Sequence, residues 1–268
     1  MGSGFQIKLA ADKLTEIFGL PITNTLIMAW IVIALLFILG IIIKKRISLI
    51  PGKLQNAVEA VFEYIFNLIE ETLGSRKLAN RYFPLIATIF IFILLANVLE
   101  FNPFAESVLV RSGGEYVPLI HTVSSDLNST LALAIISFFA IELSGIFTLG
   151  FLKYASKFVN FKGGFMGFMI GLIEIIGNLA RLISLSFRLF GAIFAGEVLV
   201  LIISKFVPLI LPVPLMAFET FIGVLQAGIF AILTLAFIKI AITEPHASHG
   251  KGQEIEEEME QMASGVIG

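Results

Sequence analysis

GLIEIIGNLARLISLSFRLFGAIFAGEVLVLII, residues 171–203, decides how this chain is read. It lies inside an apolar run, 165–206, that is longer than the roughly 20 residues one upright membrane crossing needs. Yet it carries Glu174, Asn178, Arg181, Ser184, Ser186, Arg188 and Glu197. A central arginine in a membrane helix costs about 2.5–3.5 kcal/mol on insertion scales, so something must offset it or require it. At about 100° per residue, steps of seven nearly return to the same face. Glu174, Arg181 and Arg188 therefore share one stripe, about 21 Å long at about 1.5 Å per residue. Ser184, Ala192 and Ala195 extend it, and Gly191, Ala192, Ala195 and Gly196 leave a low surface beside Arg188. Glu197 points to the opposite side of the helix. A polar stripe on one side of an arginine, with an acid displaced along and around the axis on the other, is what two non-aligned half-pathways for ions would require. The low surface has two readings, ordinary close packing of membrane helices or the close passage of a partner helix.

The rest of the chain fits a membrane. Of its 268 residues, 57% are hydrophobic and only 14% charged, where a soluble domain has about a quarter charged. Mean hydropathy is +0.97. One water-soluble core cannot use that much apolar surface. The net charge of −2 leaves no basic footprint for nucleic acid. The lack of cysteine excludes disulfides and thiolate metal sites. Lys8, Asp12, Lys13 and Glu16 break up the first twenty residues, so no signal peptide is read there.

The expected architecture is an all-α integral membrane protein of about five or six helices in one membrane domain. Spans are expected at 22–43, 84–101 and 130–152, followed by long segments at 165–206 and 215–242 and a polar tail at 243–268. Segment 54–73 repeats its apolar residues at three-and-four spacing and is interrupted by Glu59, Glu63, Glu70 and Glu71, so it should lie on the membrane surface. Lys44, Lys45 and Arg46 follow the first span, and Lys153, Lys157 and Lys162 follow the third. Both loops should then face the cytoplasm, with the amino terminus outside and the carboxyl tail inside.

On the last helix, Glu219 and Gln226 share a face with Gly223 between them. A carboxyl so placed can take up and release a proton, or it can form a plain interhelical hydrogen bond. Glu142 and Ser144 lie in the third span, where the acid could pair with an arginine. Asp126, Asn128 and Thr130 read as a helix cap. His246 and His249, three apart in the tail, lack an evident third metal ligand and read as solvated. No phosphate-binding glycine loop, zinc-helix motif or nucleophile elbow occurs, and no cofactor or metal is expected.

SLSFRLFGAIFAGE, 184–197, resembles the signature of subunit a of the bacterial rotary ATP synthase, close to S-L-x-x-R-L-F-G-N-x-x-x-x-E. PLMAFETFIGVLQAGIFAILTLAFI is similar to that family's last helix, SSDLNSTLALA to its Asp-x-Asn-x-Thr span start, and ANVLEFNP to the end of the preceding span. The likeness is specific from Asn178 to Ile242 and weak in the first forty residues. It implies a membrane stator in the bacterial cell membrane, facing a rotor ring of hairpin subunits that each carry a carboxylate, together with peripheral stalk subunits and membrane lipid. Arg188 matches the arginine that meets each ring carboxylate, drives ion release and blocks leakage. Glu197, Glu219 and Gln226 match polar positions of an outer half-channel. Glu174, Asn178, Arg181 and Ser184 fall where the cytoplasmic half-channel is lined. The long last segments would be a steeply tilted helix hairpin around the ring. Two positions depart: Ala192 stands where the family usually has Asn, and Glu219 where some members have His and others an acid. The latter suggests compensating acid pairing around Glu197. An independent channel or transporter fits less well, because Arg188 wants an acidic partner on another chain. An intramembrane enzyme fits poorly, since no histidine lies in the long apolar segments.

Overall fold

The computed structural model describes residues 13–17, 20–47, 52–100, 109–112, 115–151, 153–154, 164–207 and 210–243. Within them are six helices: α1 (Asn24–Arg46), α2 (Lys53–Leu73), α3 (Arg76–Glu100), α4 (Leu127–Leu149), α5 (Gly164–Phe206) and α6 (Pro212–Ile242). All but α2 are long and apolar enough to cross a membrane. Two short antiparallel hairpins accompany the helices, β1 (Lys13–Ile17) with β2 (Leu20–Thr23) ahead of α1, and β3 (Leu109–Ser112) with β4 (Glu115–Pro118) between α3 and α4. The sequence led us to expect helices and loops only. Hairpins so short leave no trace in a pattern dominated by long apolar runs. Lys157, Lys162, His246 and His249 lie outside the described residues.

The chain divides into two compact units. The first comprises Met1–Ser137 and Arg181–Leu235. Here α2 buries Ile65 and Ile69 of its apolar stripe while Glu59, Glu63 and Tyr64 are exposed; Ala57 and Val61, which the spacing places on the same stripe, are exposed as well. The stripe packs on α3, where Phe83 meets Phe62 and Phe66 edge-on with ring centroids 5.9 and 5.6 Å apart. The turn between the helices needs Gly74, whose φ of 66° is a left-handed conformation that other residues adopt at a cost. α3 starts at Arg76, ahead of the Pro84 at which the span was expected to begin. α1 leans on α3 through Met28, Val32 and Ala96, and Val123 of the loop ahead of α4 joins the same cluster.

Asp126 caps α4, as its residue type suggests. Its Oδ1 accepts from the Asn128 amide at 3.1 Å and its Oδ2 from the Ser129 hydroxyl at 3.2 Å. Oδ2 also accepts from Thr25 at 3.1 Å, so the cap ties α4 to the start of α1. Thr130 and Ser186, both fully buried, share a hydrogen bond of 3.3 Å between α4 and α5. Polar groups at such depth are tolerated because they satisfy one another.

The second unit comprises Phe138–Ala180 and Ala236–Gly268. Its polar centre is Glu142 on α4. The Tyr154 ring lies against Gly145, where a β-carbon would collide with it.

Candidate functional site

In the first unit the site is assembled from a loop and three helices. Glu197 on α5 is half-buried, and its Oε1 lies 3.3 Å from His121 Nε2. The same ring nitrogen lies 3.3 Å from Ser125 Oγ. Glu219 on α6 is buried, and its carboxyl rests on the backbone of Gly196; a β-carbon built there would stand 2.5 Å from the carboxyl carbon. The two acids are thus brought to adjacent positions of α5, one by sequence and one by packing. The absence of a side chain at Gly196 makes the approach possible.

Two turns further along α6, Gln226 is buried, and its Nε2 has no hydrogen-bond partner among the described residues. Between Glu219 and Gln226, the carbonyl of Gly223 accepts from Asn97 Nδ2 at 2.9 Å. Asn97, fully buried on α3, also accepts from the Ser124 hydroxyl at 2.6 Å. A β-carbon at Gly223 would come within 2.9 Å of Asn97 Cβ, so the glycine sets how near α3 and α6 can lie.

Arg188 stands elsewhere on α5. Its side chain is exposed, and among the described residues it takes part in no hydrogen bond or ion pair. Ser184 and Ala195, from the same predicted stripe, are exposed too, while Arg181, Gly191 and Ala192 are half-buried. Around them Ile183, Phe187, Leu199 and Ile202 are exposed. The result is an uncovered apolar face that carries a cation.

In the second unit Asn178 is buried and donates to Glu142 Oε1 at 3.1 Å, while Tyr154 donates to Oε2 at 2.7 Å. Glu142 therefore meets a phenol and an amide, where the sequence raised the prospect of an arginine. Asn178 Oδ1 is buried with no hydrogen-bond partner among the described residues. Glu174, one turn before Asn178 on α5, is half-buried. Among the described residues no three His, Cys, Asp or Glu side chains gather as a metal site.

Sequence reasoning missed His121, Tyr154 and the structural part of Asn97. His121 was legible only as a loop residue five positions before the α4 cap. Attention to ionisable groups inside long apolar runs passed it over. Tyr154 was hidden for the same reason, lying beyond the end of a span.

Membrane-length helices that bury acids and amides and carry an arginine on an exposed apolar face define a polytopic membrane protein. The comparisons with known proteins make this specific. Residues 26–239 match the ATP synthase A chain family. The chain is 35% identical over 218 residues to ATP synthase subunit a 1 of Syntrophotalea carbinolica, covering 81% of this chain and 85% of that protein. It is 34% identical to ATP synthase subunit a of Campylobacter concisus, covering 82% and 89%. It is 30% identical to the Propionigenium modestum protein named ATP synthase subunit a, sodium ion specific, covering 87% and 78%. The chain belongs to the ATP synthase subunit a family. It is an ion-translocating, multi-pass membrane subunit that works within the synthase complex and performs no ATP chemistry itself.

Proposed function

We propose that this chain carries protons along two offset half-pathways to and from the carboxylates of a rotor ring, with Arg188 at the ring contact. The observation that carries the reading is the exposed Arg188, without a hydrogen-bond or ion-pair partner among the described residues, on a largely apolar face of α5. A cation in such surroundings is costly without an opposite charge. A ring carboxylate passing the face would supply it, and Gly191, Ala192 and Ala195 give that helix room. The attraction favours the ionised carboxylate, which drives ion release, and the fixed charge repels a proton or cation trying to pass straight through.

Glu197, Glu219 and Gln226, gathered on α5 and α6 of the first unit, line the outer half-pathway. Glu174, Asn178, Arg181 and Ser184 line the cytoplasmic one. In this reading α5 and α6 form the tilted pair that wraps the ring, within a single membrane domain. Peripheral stalk subunits hold the chain still. It sits in a bacterial inner membrane with the amino terminus outside and the carboxyl terminus in the cytoplasm, the orientation that the basic loops favour.

The test is Arg188→Ala in inverted membrane vesicles that contain the whole complex. ATP-driven pumping should vanish, passive leak should rise, and the subunit should remain assembled. Normal pumping would refute the role. Because one relative is named sodium ion specific, the wild-type assay is run with and without sodium; pumping that requires sodium would replace the proton with sodium.

A further inference from the structure

We infer that His121 is the outermost proton-carrying side chain of the outer half-pathway and exchanges protons with Glu197; this rests on the ion-pathway reading above. Three observations carry it. His121 Nε2 lies 3.3 Å from Glu197 Oε1, close enough for transfer with a small approach. The ring comes from the loop ahead of α4, outside the helices, and its side chain retains 24% of its exposure. Its other nitrogen, Nδ1, is buried with no hydrogen-bond partner among the described residues, so nothing there commits the ring to one tautomer.

Among the described residues, the titratable groups shown in contact with the loop are Glu197 on α5 and Asp126 at the α4 cap, and Glu219 on α6 lies against Gly196, next to Glu197 in sequence. α1 and α3 bring Asn24, Thr25 and Asn97, which do not titrate. Asp126 is held by Thr25, Asn128 and Ser129 and serves the fold. That leaves the imidazole as the base facing Glu197.

The step balances within the chain. With hydrogen kept on the buried Nδ1, Nε2 takes a proton from outer water when the ring is turned away from Glu197, which makes the imidazolium. When the ring turns back, its Nε2–H bond breaks as an O–H bond forms on Glu197 Oε1, and this restores the neutral ring with hydrogen on Nδ1. The reverse sequence serves outward flow. The 3.3 Å contact to Ser125 Oγ gives Nε2 a second neighbour when the carboxyl is engaged elsewhere.

The experiment uses the complete synthase in proteoliposomes, with the outer half-pathway open to the lumen. ATP synthesis is driven by a potassium diffusion potential over a series of lumen pH values. His121→Ala and His121→Gln are each compared with wild type at every pH, with assembled subunit quantified in each preparation. A proton-collecting imidazole matters most where protons are scarce. Both variants should therefore be slower by about tenfold near pH 8 and within about twofold of wild type near pH 6. Wild-type rates, or a loss that is the same at every pH, would overturn the inference, the second by showing that His121 only positions Glu197. If His121→Ala does not assemble, His121→Gln, which keeps a hydrogen-bonding amide, decides alone. Arg188→Ala runs alongside. If it makes ATP normally the pathway reading itself has failed; if it is inactive while His121→Gln is normal, only the role of His121 falls.

Discussion

Gly196→Ala isolates the close approach of Glu219 to the α5 backbone beside Glu197. The added β-carbon would stand 2.5 Å from Glu219 Cδ and 2.8 Å from its Cγ, and closer still to Oε1. Carbon atoms pack at about 3.5–4.0 Å, so the carboxyl must retreat by roughly 1 Å. The obstacle is the end of a flexible side chain, so rotation relieves it, and the folding cost should fall near the low end of the ~1–3 kcal/mol typical of overpacking. Transfer of an ion is less forgiving, because a misplacement of about 1 Å can cost roughly a hundredfold in rate. The variant should assemble in near-normal amounts yet pump between about tenfold and a hundredfold more slowly in ATP-driven vesicle assays. Glu219→Asp, which shortens the acid by one methylene, should recover part of the rate when combined with Gly196→Ala and lower it when made alone. Pumping at the wild-type rate by Gly196→Ala, or a double variant no better than the single, would refute the view that this close approach serves transport.

Other expectations concern structure as much as transport. Asn97→Ala removes the bonds to Ser124 and Gly223 and strands a buried hydroxyl; it should destabilise the subunit by about 1–3 kcal/mol, read as a lower melting temperature of the purified complex. Glu142→Ala leaves Tyr154 and Asn178 without these acceptors and should cost a similar ~1–3 kcal/mol, whereas Glu142→Gln, which keeps one acceptor, should cost less; equal melting temperatures for the two would argue against these bonds. Arg188→Ala should leave melting unchanged while abolishing pumping, since the side chain holds no partner among the described residues.

Much of the fold was legible because membrane helices announce themselves by length and apolarity. The α2 stripe was legible from spacing, since Ile65 and Ile69 sit on the face that packs while Glu59 and Glu63 sit on the other. Asp126 was legible as a cap because its capping hydrogen bonds reach two and three residues onward, whereas its long-range bond to Thr25 was not legible. The β-hairpins were not, because strands of four or five residues outside the long apolar runs lack a distinguishing period. Arg188, Glu197, Glu219 and Gln226 could be named in advance, since charge and amide groups inside apolar runs are conspicuous.

The pairings could not be named. Nothing along the chain says that His121 meets Glu197, that Glu219 lies on Gly196, or that Glu142 meets Tyr154 and Asn178. By itself the sequence determined that this is a multi-helix membrane protein with an arginine and acids inside its apolar runs, because hydrophobic patterning and helical periodicity are local properties. Only the tertiary structure decided which polar groups satisfy one another. Those contacts join residues far apart along the chain, and they depend on how closely glycines let the helix backbones approach.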